Sequence, residues 1–221
     1  MSERWVDLTH PVVSTMWTFP GDPTVRLEPA ATIEADGSVV TALHLGSHTG
    51  THVDAPSHVL AGAPTLDEVP LSRFSGPAVL VDVRHLSPGA AAGPAELAAV
   101  ADRLRPGAVV LLVTGWDRRW GEPDYLDHPY LSVAAAQAVV AAGVRTVGID
   151  AASVDAGPAP VLVTHHVLAA AGCVIAENLT GLAPLLSDQA DGADIDVSML
   201  PLRISGGDGS PVRAVARIDR P

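Results

Sequence analysis

The sequence predicts an α/β fold in which helices flank a mixed β-sheet. Two short apolar runs, at 77–86 and 107–115, are typical of buried strands. The segment between them, "PAELAAVADRL" at 94–104, has apolar residues at helical spacing. Strands that alternate with helices in the middle of a chain, between strand-rich ends, indicate a mixed α/β domain.

The N-terminal third predicts short strands joined by turns. "RWVDLTHPV" (4–12) and "SVVTALHLGSH" (38–48) are strand candidates. Between them, Pro20-Gly21-Asp22-Pro23 has the composition of a turn. Further on, Pro94 suits the first turn of the predicted helix that follows an alanine-rich loop.

The C-terminal half continues the alternation of helices and strands. "SVAAAQAVVAAG" is a predicted helix with Ser132 as its N-cap and Gly143 as its C-cap. "THHVLAAAG" (164–172) is a second predicted helix. Four strands are predicted around these helices, at 144–150, 173–179, 193–204 and 211–219.

Length and charge narrow the class of protein. The 221 residues suit one domain, 1–221, and nineteen prolines with twenty glycines argue against a helical bundle. The net charge of −12 would repel phosphate groups, so neither nucleic acid nor an anionic membrane is an expected partner. Because no apolar segment suits a signal peptide or a membrane span, we expect a soluble cytoplasmic protein. The single cysteine, Cys173, lies in an apolar run and is expected to be buried.

The segment "HTGTHVDAPSH", which begins at His48, concentrates metal-binding side chains. Alternate side chains of a strand share a face, so His48, His52, Asp54 and His58 are predicted to point the same way. Residues 48 and 52 of an ideal strand are about 13 Å apart, which is too far for two ligands of one ion. A bend or bulge at Gly50 would bring the two rings together.

A second group of potential ligands lies in "THHVLAAAGCVIAENL". It supplies His165, His166 and, twelve residues beyond His165, Glu177. A glutamate directly after an apolar run is unusual, since buried glutamate is normally paired or bound to metal. Nitrogen and oxygen ligands without thiolate suit Zn²⁺, Mn²⁺ or Fe²⁺ and a catalytic site. Five side chains are then predicted to hold one or two divalent ions: His48, His52, Asp54, His165 and Glu177.

The first motif resembles that of the cyclase-like superfamily of metal-dependent hydrolases, which includes bacterial kynurenine formamidase and isatin hydrolase. The family's hallmark is H-x-G-T-H-x-D-x-P-x-H, and all seven fixed positions are present in "HTGTHVDAPSH". The likeness continues in order through "DLTHPV", "FPGDP", "TGWD", "HPYLS", "GIDAASVD" and "HHVLAAAGCVIAENL". It therefore extends over most of the chain.

The resemblance implies a single swivelling β/β/α domain, usually assembled as a homodimer or higher homo-oligomer. It implies that Asp54 bridges two ions and that His58 is the catalytic acid/base. The twelve-residue interval selects His165 as the ligand over its neighbour His166. Formamidases of this family resemble zinc enzymes and isatin hydrolases manganese enzymes, so Zn²⁺ is the expected ion and Mn²⁺ the alternative.

The activity implied by the resemblance is hydrolysis of a small aryl formamide or cyclic amide by metal-bound hydroxide. In the formamidases a tryptophan precedes the Pro-Gly-Asp turn and contacts the substrate. Here Phe19 occupies that position and Trp17 lies two residues earlier, so we expect both to contact a small aromatic substrate. One rival is a cyclase or dehydratase that uses the same site. Another is a metal-storing or structural protein, although four ligands normally close such a site.

Polar and aromatic residues outside these motifs are given structural interpretations. His10 is expected to make a structural hydrogen bond, and His44 to occupy a sheet position. Loop or turn positions are expected for His85, His128, Asp150 and Asp155, the two aspartates as hydrogen-bond acceptors. The stretch from Trp116 to Tyr130 holds half of the eight aromatic residues, either as loop packing or as a lid or dimer contact. "SGGDGS" (205–210) lacks the Lys-Ser/Thr of a phosphate-binding loop.

Overall fold

The computed structural model describes residues 3–157 and 159–219, and its centre is a nine-stranded sheet. The strands are β1 (Glu3–Asp7), β2 (Arg26–Ala31), β3 (Val40–His44), β4 (His52–Asp54), β5 (Ser75–Asp82), β6 (Ala91–Ala92), β7 (Val109–Val113), β8 (Tyr130–Leu131), β9 (Thr146–Ile149), β10 (Val174–Glu177), β11 (Asp194–Ser198), β12 (Gly209–Pro211) and β13 (Val215–Asp219). The central sheet has the order β1-β13-β11-β5-β7-β9-β10-β4-β12.

Parallel and antiparallel pairing divide this sheet into a centre and two flanks. β5, β7, β9 and β10 run parallel to one another. β11, β13 and β1 extend one side antiparallel, and β4 and β12 extend the other. Two smaller pairs lie outside it, the β2–β3 hairpin and β6 with β8. The predicted α/β class with a mixed sheet is therefore confirmed.

Short helices connect and flank the strands. They are α1 (Ile33–Asp36), α2 (Pro94–Leu97), α3 (Val133–Ala141), α4 (Val163–Ala170) and α5 (Leu185–Ala190). As predicted, the Ser132 side chain caps α3 by accepting from the Ala135 amide. The C-cap is Ala142 rather than the predicted Gly143, which comes next with φ of 85°. None of the helices in 3–157 and 159–219 is long and apolar enough to cross a membrane.

Alternation along the central strands builds a hydrophobic core on each face of the sheet. In β7, Leu111 faces the core that also contains Phe74 and Ile218. Its neighbour Leu112 faces the opposite core, which contains Val139 of α3 and Leu168 of α4. Because both faces are covered, β7 is apolar at every position, as parallel central strands usually are.

The edge at the carboxyl ends of β9 and β10 positions the polar motifs. β4 pairs antiparallel with β10, so that His52 lies opposite Glu177 in the register. Asp150 directly follows β9. α4, which carries His165 in its first turn, returns the chain to β10. Residues more than a hundred positions apart in the sequence thus meet at one edge of the parallel strands.

Candidate active site

The motif that begins at His48 is a turn, a short strand and a second turn. The segment 48–58 is predicted to be a strand that runs into a loop, and the strand is shorter than this prediction: β4 covers only residues 52–54, and Pro56–His58 forms a 3-10 turn. The expected bend exists at Gly50, whose φ is 61°. A Cβ at this position would also lie 3.0 Å from Met16 Cε, so glycine suits both the torsion and the space.

This bend brings His48 against the strand that carries His52 and Asp54. His48 Nδ1 lies 2.7 Å from Asp54 Oδ1, and His52 Nε2 lies 3.2 Å from the same oxygen. One ligand atom of each residue lies within 4.8 Å of the others. These three side chains, which the sequence predicted as ligands, therefore form one group that could hold a metal ion.

A second group shares Asp54 and adds residues from α4 and β10. His165 Nε2 lies 3.5 Å from Asp54 Oδ2 and 3.3 Å from Glu177 Oε1. Asp54, His165 and Glu177 are all buried, and their ligand atoms also lie within 4.8 Å of one another. The two groups lie on either side of Asp54, which is the arrangement expected for a bridging carboxylate.

The orientation of His165 is fixed by Asp155. The Asp155 carboxylate accepts hydrogen bonds from the amides of Thr164 and His165, and its Oδ2 lies 2.6 Å from His165 Nδ1. When His165 donates Nδ1–H to this carboxylate, its Nε2 carries the lone pair, which points towards Asp54 and is free to bind a metal ion. His166 is exposed, and its Nδ1 lies 2.7 Å from the Leu162 carbonyl oxygen.

A comparable set of contacts orients His52. His52 Nδ1 lies 2.9 Å from the carbonyl oxygen of Gly50, which also accepts a hydrogen bond from Asn178 Nδ2 at 3.0 Å. The buried Tyr125 hydroxyl donates to Asn178 Oδ1 at 2.9 Å. Because the carbonyl takes the Nδ1 proton, His52 Nε2 is left facing Asp54 and Glu177.

The electrostatics of the cluster favour positive charge. Burial alone would raise the pKa of Asp54, but charge on His52 and hydrogen bonds with the neighbouring histidines hold that pKa well below its usual range. Burial alone would lower the pKa of His48, but Asp54, followed by Asp208, raises it to about 9. Asp54 Oδ2 is nevertheless buried without a hydrogen bond. A buried carboxylate with an unused oxygen among histidine nitrogens fits a divalent cation.

His58 lies at the edge of the first group rather than within it. Its ring centroid is 4.1 Å from that of His48 and 6.0 Å from that of His165. Burial lowers the pKa of His58 despite the opposing effect of Asp54, so that its neutral form is favoured. A neutral imidazole beside a polar cluster is able to accept a proton.

A cavity of about 380 Å³ opens onto these side chains. The cluster forms its polar part, which includes His48, His52, His58, His165 and Glu177. The remaining lining residues are Trp17, Thr18, Phe19, Asp22, Gly50, Ala152, Ser153, Ala159, Pro160, Leu162 and Asn178. An apolar cavity with convergent polar groups at one side is typical of a small-molecule site.

Aromatic rings form one wall of this cavity. Trp17 meets Phe19 edge-on with ring centroids 6.4 Å apart, and it meets Tyr125 at 4.9 Å and Trp120 at 5.3 Å. Trp17 and Phe19 line the same cavity as the cluster, and their contact with a substrate stays a prediction. Two residues of the aromatic stretch pack behind Trp17, and a lid or dimer role of that stretch stays a prediction.

The histidines outside the cluster and the single cysteine were predicted to have structural positions. The His10 amide donates to Thr51 Oγ1 at 2.9 Å, and the ring stacks on Trp120 at 4.2 Å. His44 ends β3, and His85 is exposed in a turn. His128 lies in a loop as predicted but is fully buried, as is usual for packing rather than for a free loop. Cys173 is buried as expected.

Sequence reasoning missed one residue of the site, Asp208. Its Oδ2 lies 2.9 Å from His48 Nε2 and 3.5 Å from His58 Nδ1. The glycine-rich segment 205–210 that contains it is, from the sequence, only a weak candidate for a phosphate-binding loop. A carboxylate 160 residues from His48 gives no local signal, although an aspartate among glycines is a recognisable turn.

The chain is similar to known proteins in both sequence and fold. The Cyclase family matches residues 6–156. Kynurenine formamidase of Bacillus thuringiensis (strain Al Hakam) is 34% identical over 218 residues, which are 98% of each chain. The structure of isatin hydrolase A from Labrenzia aggregata, bound to benzyl benzoate, is similar with a TM-score of 0.87 and 26% sequence identity. The match covers 99% of this chain and 94% of the isatin hydrolase chain.

A likeness in fold extends to a more distant solved structure. A predicted metal-dependent hydrolase from Bacillus stearothermophilus has a TM-score of 0.76 at 24% identity, covering 98% of this chain and 99% of that one. The matched region of the family contains the whole motif from His48 to His58, and the formamidase aligns over nearly the full length. This chain therefore belongs to the Cyclase family.

Proposed function

We propose that this chain is a metal-dependent hydrolase that cleaves the C–N bond of a small aryl formamide or cyclic amide. The observation that carries the proposal is the shared carboxylate. Asp54 stands between two groups of potential ligands at the polar side of a cavity with an aromatic wall. The kynurenine formamidases and isatin hydrolase A, to which the chain is similar, are named for substrates of this type.

The proposed ligands are the five side chains that surround the shared carboxylate: His48, His52, Asp54, His165 and Glu177. These residues would hold one or two divalent ions, with Zn²⁺ as the proposed metal and Mn²⁺ as the alternative. The ions would supply Lewis-acid activation of water and of the substrate carbonyl. The buried, unused Oδ2 of Asp54 supports this assignment. So does the absence of a serine nucleophile in a strand-turn-helix elbow motif in the sequence.

His58 is proposed to move the proton in this reaction. Hydrolysis adds water across the C–N bond, so one proton leaves the water and one proton reaches the departing nitrogen. The neutral form of His58, favoured by burial, accepts the first and then donates it. Its ring lines the cavity beside His48, which is where such a transfer is required.

The proposed substrate is a small aromatic amide that is neutral or zwitterionic. Trp17 and Phe19 offer ring faces and edges to it, and such contacts contribute about 0.5–1.5 kcal/mol beyond burial. Among the described lining residues there is no lysine or arginine, while Asp22 adds a carboxylate. Polyanionic compounds, including phosphorylated ones, are therefore expected to bind poorly.

Metal analysis combined with a substrate panel tests the proposal. We expect one to two divalent ions per chain and loss of activity with chelators. The panel contains formanilide, N-formylkynurenine, isatin and small lactones, and we expect hydrolysis of an aromatic amide. In the same panel, Phe19→Ala should raise KM for aromatic substrates more than for an aliphatic formamide. Activity without any ion would overturn the proposal, and ring closure or dehydration without hydrolysis would favour the rival reaction.

A single domain, a homodimer and a cytoplasmic location complete the proposal. The β2–β3 hairpin supports association with a second copy, because it exposes apolar residues to solvent. These residues are Ile33, Val39, Val40 and Leu43. Large exposed apolar residues concentrated in one segment are typical of a contact surface. Sedimentation of the chain as a monomer would remove the homodimer from the proposal, and two separate unfolding transitions would remove the single domain.

A further inference from the structure

The backbone around Asp208 is held against the ligand strand. Asp208 directly precedes β12, which pairs antiparallel with β4 so that Gly209 lies opposite Asp54. The Asp208 carbonyl oxygen also accepts a hydrogen bond from the Ala55 amide at 2.8 Å. These contacts fix the position from which the Asp208 side chain reaches the candidate site.

The Asp208 carboxylate meets two histidines with different proposed roles. Its Oδ2 lies 2.9 Å from Nε2 of His48 and 3.5 Å from Nδ1 of His58. The other ring nitrogen of His48, Nδ1, lies 2.7 Å from Asp54 Oδ1. A neutral imidazole has one N–H. If Nε2–H is donated to Asp208, the Nδ1 lone pair of His48 faces the group around Asp54.

The residue after Asp208 restricts the ring of His48 as well. A Cβ at Gly209 would lie 2.6 Å from Cε1 of His48 and 3.0 Å from both ring nitrogens. The ring therefore lies directly on the backbone of residue 209, where only glycine leaves room for it. Asp208 and Gly209 together define one orientation of the imidazole.

We propose that Asp208 is a positioning residue that orients His48 for metal binding and His58 for proton transfer. The proposal rests on the proposed function and extends it to a side chain outside the five ligands. A carboxylate that accepts from a ligating histidine fixes its tautomer, and loss of such a partner typically costs 10–100-fold in metal affinity or activity. By contacting both histidines, Asp208 links the two roles.

The test compares Asp208→Ala and Asp208→Asn with the wild type. We measure ion affinity by Zn²⁺ competition with a chromogenic chelator, and we record Co²⁺ absorption spectra. Asp208→Ala is expected to lose about 10–100-fold in affinity, to change the Co²⁺ spectrum, and to lose kcat with little change in KM. Asp208→Asn keeps an oxygen that accepts from Nε2–H, so it should restore most of the affinity.

Asp67→Ala is the matched control for damage to the loop. Asp67 Oδ1 accepts from the Gly206 amide at 3.1 Å, so it holds the same loop without contacting either histidine. Its substitution should leave ion affinity and the Co²⁺ spectrum unchanged. Equal losses in Asp67→Ala and Asp208→Ala, with equal thermal destabilisation of the metal-free proteins, would reduce Asp208 to a structural role.

Other outcomes separate this proposal from the proposed function. Unchanged ion affinity and unchanged kcat in Asp208→Ala would overturn the positioning role while leaving the hydrolase proposal intact. Asp208, His48 and His58 also form a group that could hold an ion. If excess Zn²⁺ inhibits the wild type but not Asp208→Ala, and ion affinity is unchanged, these three residues form an inhibitory ion site and the positioning role is overturned. Failure to hydrolyse any panel substrate leaves the affinity test decisive, and failure of the wild type to bind any ion overturns both proposals.

Discussion

Asp54 and Asp150 are both fully or almost fully buried, yet their surroundings differ. Asp150 follows β9, and its Oδ1 accepts from the amide and hydroxyl of Thr114 at 2.7 and 2.6 Å. Its Oδ2 accepts from the Gly115 amide at 2.9 Å. Asp54 instead faces histidine nitrogens, and its Oδ2 accepts no hydrogen bond. The first carboxylate is satisfied by the chain, whereas the second has an unused acceptor.

This difference separates a structural acid from a candidate ligand. A buried carboxylate whose oxygens are satisfied by backbone and hydroxyl donors needs no further partner. One that keeps an unused oxygen among histidines is stabilised when a cation supplies the missing contact. Both carboxylates are buried, so the distinction depends on the identity of the donors.

The largest difference between Asp54 and Asp150 is expected when each is replaced by asparagine in a separate variant. Asp54→Asn removes the shared charge and should lose most of the bound ion. Activity should fall by about 10³-fold or more, since Lewis-acid stabilisation contributes several kcal/mol. Asp150→Asn should keep the ion. Elemental analysis and kcat/KM of both variants check this, and retention of the full ion content in Asp54→Asn would contradict it.

The sequence predicted the fold class and several of the elements because hydrophobic periodicity is a local signal, but the helix predicted at 94–104 is only α2 at Pro94–Leu97. Buried strands such as β7 and the N-cap of α3 were predictable from neighbouring residues alone. The motif predicted which residue types meet, and the bend at Gly50 followed from the distance between His48 and His52. The short extent of β4 was not predicted, because its ladder partners β10 and β12 are distant in the sequence.

The residues that contact the candidate ligand histidines, Asp155 and Asp208, could not be identified from the sequence. Asp155 was predicted to be a hydrogen-bond acceptor, but its contact with His165 Nδ1 depends on where α4 begins. Asp208 was missed because its partners are set by the pairing of β12 with β4. Asp208 lies between two glycines and 160 residues from His48, so no periodic signal connects the two. Long-range pairing, unlike periodicity, cannot be read from a single segment.

The adjacent histidines of α4 give a second comparison between a candidate ligand and a residue outside the site. His165 is buried against Asp54 and Glu177, while His166 is exposed and faces a backbone carbonyl. His165→Ala should therefore lose an ion and most activity, and His166→Ala should keep both. Metal counting per chain decides the assignment. A larger ion loss in His166→Ala would reverse it.

The smallest expected effect concerns Asp150 and pH. Burial, the largest influence, raises its pKa to about 6 despite the hydrogen bonds from Thr114. A carboxyl group whose pKa is raised on folding binds its proton more tightly in the folded state. It therefore stabilises the fold at low pH, and this contribution is lost as pH rises through about 6.

We accordingly expect Asp150→Asn to be more destabilising at pH 4.5 than at pH 7.5, by about 2 kcal/mol. Urea unfolding of both proteins in metal-free form measures the difference at each pH. Because the other titrating groups are common to the two proteins, their contributions cancel in that difference. A difference that is constant, or that grows with pH, would show that the three donors outweigh burial. Asp150 would then be charged throughout this range, and its satisfied hydrogen bonds would set its pKa as well as its structure.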